Sequence, residues 1–301
     1  MRVVLEMETS DPDDFLTLLW LADHPAVELL GVVISPGTVE QCRLVRWALD
    51  RTARVRTPIG SYIGPSAWAE RDPRRSGVSS FHRRAFGAEA VDHPTGVVHD
   101  GVALMTELLA IDDVTALVGA PPRCLGRAFA TFAESRLAQW VQQGGFAGVN
   151  LVKDPLPKFA GRTTCASFNP GGAPSETLAL LADRRIERRV FVSKNVCHGI
   201  VFDVAMRRSL DRRLAARAAP VRPGLALMLS GLEAYLVERP SGKALHDLLA
   251  AACAVEERVC SLREVEIFRE RGEWGARSAV DTGTWITVDV DRERLLDVLS
   301  T

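Results

Sequence analysis

Short apolar runs alternate with amphipathic ones along most of the chain. Val3-Val4-Leu5 predicts a strand, and the apolar run from Phe15 to Leu21 predicts a helix that stops near His24-Pro25. Asp11 suits the N-cap of that helix, and Pro12 suits its first position, where a missing N–H costs nothing. The stretch from Glu28 to Ile34 is continuously apolar, as parallel strands buried on both faces are. Leu44, Val45, Ala48 and Leu49 recur at helical spacing and predict a helix from Val39 to Ala53. Strands are then expected at 55–60, 114–119, 140–144 and 189–193, and helices at 102–110, 125–132 and 175–182. This alternation predicts an α/β fold, with a mostly parallel central sheet covered by helices on both faces. The C-terminal third is expected to be helical from about Phe202 to Val259 and to end in a strand pair around 265–268 and 285–290. The region from Gly60 to Gly101 is long, charged and punctuated by Gly and Pro, and is expected to form a loop or lid. No internal repeat, low-complexity tract or clear linker interrupts the 301 residues, so a single domain over 1–301 is expected.

Charge and composition narrow the function. The formal net charge of −1 argues against nucleic acid or a membrane surface as a partner, since both usually leave a basic footprint. Arginine greatly outnumbers lysine, which fits genome composition better than an anion-binding role. Six cysteines (42, 124, 165, 197, 253 and 260) lack C-x-x-C spacing and lie mostly in apolar surroundings. They predict buried thiols of a cytoplasmic protein, not a disulfide framework or a zinc site. No uncharged run approaches the roughly 20 residues of a membrane span.

The chemistry concentrates near the N-terminus. Five carboxylates, Glu6, Glu8, Asp11, Asp13 and Asp14, fall within nine residues between the first strand and the first helix. Capping and the helix dipole account for Asp11, Asp13 and Asp14. They leave Glu6 and Glu8, which end a buried strand at alternate positions and so share a face. Ligands of doubly wound sheets bind at the carboxyl ends of strands. Converging carboxylates there need raised pKa values or a cation, and hard oxygen donors suit calcium or magnesium.

These residues resemble the N-terminus of the nucleoside hydrolase family (inosine/uridine-preferring type), whose signature is Asp-x-Asp-Pro-Gly-x-Asp-Asp. Glu6-Met-Glu8-Thr-Ser-Asp11-Pro-Asp13-Asp14 is similar to it with one extra residue and Glu for the leading Asp pair. The stretch from His24 to Thr38, "HPAVELLGVVISPGT", resembles the family's second strand and the loop after it. "HDG" at His99, "ALVGAPPRCLG" around Gly119, "QGG" at Gln143, "SFN" at Ser167 to Asn169 and "LHDLLAAA" from Leu245 continue the likeness in order.

The resemblance implies calcium-dependent hydrolysis of the N-glycosidic bond of a nucleoside-like small molecule, by a homo-oligomer (dimer or tetramer). By position, it implies Glu8, Asp11, Asp14, Asp247 and the Gly119 carbonyl as metal ligands. Glu8 is the implied general base, with Asp11 as its competitor because the inserted residue blurs the register. His246 is the implied proton donor to the leaving base. Asp13, Thr38, Phe168 and Asn169 are the implied substrate contacts. Two departures bear on the substrate: the family's Glu before Phe-Asn is Ser167, and an Asp before Pro is Ala173. The loss makes room for a larger or differently charged substituent, and Lys158 and Arg162 lie just upstream. Ribosyl transfer or C-nucleoside formation on the same scaffold, or a degenerate metal-binding protein, are the alternatives.

Overall fold

A computed structural model describes residues 1–64, 66, 77–148, 150–217 and 219–301. Thirteen strands form among these: β1 (Arg2–Met7), β2 (Glu28–Ile34), β3 (Ile59–Ser61), β4 (Val98–Asp100), β5 (Val114–Val118), β6 (Leu137–Gln143), β7 (Thr164–Cys165), β8 (Ile186–Val192), β9 (Val201–Phe202), β10 (Lys243–Ala244), β11 (Cys260–Glu270), β12 (Glu273–Ser278) and β13 (Thr284–Val290). Eleven of them share one sheet in the order β4-β3-β2-β1-β5-β6-β8-β13-β11-β12-β7. Pairing is parallel from β4 through β13 and antiparallel from β13 to β7. The expected parallel α/β sheet is therefore present.

The chain builds outward from β1 to β4, then returns to lay β5 on the other side of β1. Strand order reverses between β1 and β5, and the crevice at such a switch point is where open α/β sheets bind ligands.

Alternation along β1 sorts its side chains. Val3, Leu5 and Met7 enter a core with the helices Pro12–Ala22, Val39–Arg51, Pro223–Glu238 and His246–Val255. Val4 faces the opposite core, built with the helices Gly101–Leu108 and Arg123–Thr131. Glu6 has the parity of Val4 and points toward that second layer. The first helix is buried from Asp13 to Ala22, so its apolar run needs cover on nearly every side; Pro223–Glu238 and His246–Val255 supply part of it.

Boundaries shift where sequence signals were weak. The strand expected at 55–60 is the shorter β3, because Thr57 and Pro58 are spent in the turn before it. The region expected as a loop or lid carries β3 and β4 at its ends and the short helices Ser80–Phe86 and Ala88–Val91 within it. Positions 65 and 67–76 of that region lie outside the described residues. The C-terminal third is helical to Val255, and the expected strand pair is β11 and β13, antiparallel, with β12 added on the far edge of β11. All six cysteines are buried free thiols. No helix among the described residues is long and apolar enough to cross a membrane.

Candidate active site

The acidic residues of the N-terminal segment separate into structural and cleft-facing groups. Glu6 is fully buried, and its two oxygens accept from Cys124 N (2.8 Å) and Leu125 N (3.1 Å), capping the helix Arg123–Thr131. Burial pushes its carboxyl up to about 7 against the pull of those donors. Asp13 turns its Oδ2 to the backbone N–H groups of His246 and Asp247, the latter at 2.7 Å, and caps the helix His246–Val255. This contact fixes the helix that carries Asp247, while the other oxygen, Oδ1, is buried without a hydrogen-bond partner. Asp11 caps its own helix through Asp13 N and pairs with Lys243, whose Nζ lies 2.8 Å from Asp11 Oδ1. Burial alone would raise the Asp11 carboxyl, but the ammonium outweighs it and holds the group below the usual range.

Glu8, Asp14 and Asp247 remain, and none of them makes an ion pair among the described residues. All three line a cleft of about 380 Å³ together with Ser10, Asp11, Gly119, Gln143, Ser167, Phe168, Asn169, Lys194, His198 and His246. Asp14 and Asp247 are brought together from sequence positions 233 apart. Burial, followed by the neighbouring carboxylates, raises both far above the ordinary carboxylate value. Glu8, at the end of β1, is pushed up to about 7 by burial first and by Asp11 next.

Gly119, at the end of β5, is the floor of this pair. A Cβ there would lie 2.7 Å from Asp247 Oδ1 and 3.2 Å from Asp14 Oδ1, so both oxygens close on one point that only glycine leaves open. Beneath it is a small cavity of about 10 Å³, lined by Asp14, Thr17, Gly119 and Asp247 among apolar side chains. That is room for one water or one ion. Asp247 Oδ1 and Thr17 Oγ1 are buried there without a hydrogen-bond partner. An unpaired buried carboxylate oxygen is costly, and a cation removes the cost. The donors are hard oxygens of the kind that hold calcium or magnesium.

The opposite wall is built differently. Asn169 Nδ2 donates to Gly119 O (2.9 Å) and Gln143 Oε1 (2.7 Å), tying the ends of β5 and β6 to the short helix Phe168–Gly172. Phe168 is 70% exposed at the rim. Ser167 accepts from Gly145 N at 3.0 Å. The His246 and His198 rings meet at 48°, with centroids 4.6 Å apart. Burial lowers the His246 pKa, and burial with His246 and two lysines pushes His198 down to about 3, so both rings are neutral at physiological pH. With Cys197 they place three ligand atoms within 4.8 Å of one another, a softer donor set than the carboxylates.

Of the residues named from the sequence, Glu8, Asp11, Asp14, Gly119, Phe168, Asn169, His246 and Asp247 meet in the cleft. Thr38 does not line it. Its hydroxyl accepts from Gln41 N and caps the helix Val39–Arg51, the commonest use of a threonine before a helix. Sequence reasoning missed Lys243, 4% exposed and held between Asp11 and Asp13, because "SGK" reads as an ordinary turn.

Comparison with known proteins places the fold. No protein-family model matches the sequence. An uncharacterized protein of Aquifex aeolicus (strain VF5) is 26% identical over 309 residues, spanning 99% of this chain and 97% of its own. The purine-preferring ribonucleoside hydrolase from Gardnerella vaginalis has a similar structure, with TM-score 0.66 and 17% identity, covering 100% of this chain and 97% of that one. The inosine-uridine preferring nucleoside hydrolase from Bacillus anthracis matches with TM-score 0.71 and 16% identity, over 99% and 97% of the two chains. An inosine-guanosine nucleoside hydrolase matches with TM-score 0.69 and 14% identity, over 100% and 98%. The architecture is shared along the whole chain.

Proposed function

We propose that this chain, which has the nucleoside hydrolase fold, hydrolyses the N-glycosidic bond of a ribonucleoside or a modified relative of one. The observation that carries the reading is the Asp14–Asp247 pair over Gly119, left without an ion-pair partner beside Glu8, whose carboxyl burial raises. Asp14, Asp247 and the Gly119 carbonyl are the groups that would hold calcium. A divalent cation there would bind the vicinal hydroxyls of a ribose and acidify a coordinated water.

The protein's own residues do the rest. Glu8 lies beside the pair and accepts a proton from the attacking water; a pKa of about 7 is well matched to that task at neutral pH. The water oxygen bonds to the anomeric carbon as the carbon–nitrogen bond breaks, and the electron pair leaves with the base. Crowded carboxylates favour the positive charge that develops on the sugar. Asn169 braces the strand ends against the sugar side of the cleft. His246, neutral beside His198, can donate a hydrogen bond from a ring N–H to the leaving base and keeps that proton; the base takes its own proton from solvent as it departs.

The test is release of free base from inosine and uridine after chelation and after calcium is restored. Base release that requires calcium is expected. Intact inosine and uridine, together with intact 5′-monophosphates of both, under both conditions would overturn the reading, and a ribosylated product in place of free ribose would identify a transferase.

A further inference from the structure

The cleft has basic groups around it as well as acidic ones. The chain carries 33 arginines and only four lysines, yet three of the four, Lys158, Lys194 and Lys243, gather around this cleft. Lys243 is matched by Asp11. Lys158 and Lys194 are matched by nothing acidic among the described residues. Lys158 Nζ lies 2.8 Å from His198 Nδ1, a neutral acceptor. Lys194 Nζ donates to Ala166 O at 2.8 Å and lies 3.6 Å from Cys165 Sγ.

Both ammonium groups sit against the ring of Phe159, 5.2 and 5.9 Å from its centroid, with the His198 ring 5.4 Å away on an edge. Two like charges held around one ring repel each other unless an anion comes between them. Each keeps N–H groups to spare, since an ammonium carries three donors. Lys194 and His198 line the same cleft as Glu8, Asp14 and Asp247, and the uncharged Ser167 lines it too. A compact ammonium is a common way to hold a phosphate as a point charge.

We propose that Lys158 and Lys194 form an oxyanion subsite, and that the substrate is a nucleoside bearing an anionic group. This rests on the nucleoside hydrolase reading of the acidic residues. A phosphomonoester on the sugar and a carboxylate on the base offer the same chemistry to the lysines.

The test pairs binding with turnover. Calorimetry with calcium present compares ribose with ribose 5-phosphate, for the intact protein, Lys158→Gln, Lys194→Gln and the double variant. Ribose 5-phosphate is expected to bind at least about tenfold tighter than ribose, the scale of one charge-assisted hydrogen bond, and the double variant to remove the difference. The kcat/KM values of uridine 5′-monophosphate and of orotidine are each compared with uridine, separating the sugar phosphate from the base carboxylate. Preference for orotidine with no gain from phosphate assigns the subsite to the base. Lys158 is exposed, so Lys158→Gln reports even where Lys194→Gln perturbs folding. Lysine-dependent binding of an anionic ligand without base release supports the subsite and sinks the hydrolase reading. Cleavage of neutral nucleosides with no lysine-dependent preference for either anion does the reverse.

Discussion

Lys243 Nζ lies 2.8 Å from Asp11 Oδ1, with the lysine side chain 5% exposed and the aspartate 52%. On the proposed mechanism, the pair favours Glu8 over Asp11 as the base. Asp11 is held ionised below the ordinary range, where a carboxylate accepts a proton poorly, whereas Glu8 rises to about 7. Glu8→Gln is therefore expected to lower kcat by roughly the hundred- to ten-thousand-fold typical of a general base while calcium affinity changes little. Asp11→Asn removes the partner of a buried ammonium and is expected to act mainly on stability, seen as a lower Tm. A large loss of kcat in Asp11→Asn with a mild Glu8→Gln would reverse the assignment.

Metal-free stability should depend on pH in a direction set by the raised carboxylates. Glu6 and Glu8 rise from 4.5 to about 7, and Asp14 and Asp247 are raised well above 3.8. Between the unfolded and folded pKa values the native state holds protons that the unfolded chain releases, so stability falls as pH rises through that window. His24 and His82, lowered from 6.5 to about 4, act the other way: their penalty appears as pH falls below 6.5. Above 6.5 the carboxylates act alone, so the Tm of the chelated protein is expected to drop from about pH 6.5 to 8. Calcium should abolish that drop and bind more tightly as pH rises, because binding releases the protons. A chelated Tm that climbs over this interval would contradict the account.

How much of this was legible in the sequence follows from how local each signal is. The strand Glu28–Ile34 and the helix start at Asp11-Pro12 appear as read, since an apolar run and a cap are properties of neighbours. The strand β12, Glu273–Ser278, and the two-residue edge strand β7 carry no apolar run; β12 exists because β11 offers it an edge, and β7 because β12 does. The site divided in the same way. Capping and ligation require the same residue types, so Asp13 and Thr38 could not be told from Asp14 and Glu8 without knowing which backbone donors arrive opposite them. Alternate spacing predicts one face for Glu6 and Glu8, but Glu6 is spent on the helix that follows β5.

Asp13 should behave as a cap and not as a substrate contact. Its Oδ2 serves two N–H groups of the helix that carries Asp247. Asp13→Ala is expected to cost about 1–2 kcal/mol in urea denaturation, in the range of other lost caps, and to weaken calcium binding by letting Asp247 shift. Asp13→Asn keeps an acceptor oxygen and should retain most of both. Unchanged stability in Asp13→Ala, with only KM affected, would support the substrate role.

Gly119 offers the most selective test of the metal reading. Its backbone lies outside the left-handed region, so alanine is allowed there on conformational grounds. The added methyl would meet the carboxyl oxygens of Asp247 at 2.7 Å and Asp14 at 3.2 Å, and both are ends of side chains that can rotate away. Rotation costs the fold little but opens the pair, and it relieves two like charges of their closest approach. Gly119→Ala is therefore expected to keep a metal-free Tm close to that of the parent, or slightly above it. Calcium affinity by titration calorimetry should fall by at least about tenfold, the equivalent of 1.4 kcal/mol. Activity should fall with it and return in part at high calcium. Full calcium affinity in Gly119→Ala would mean that Asp14 and Asp247 do not bind a shared ion at this point.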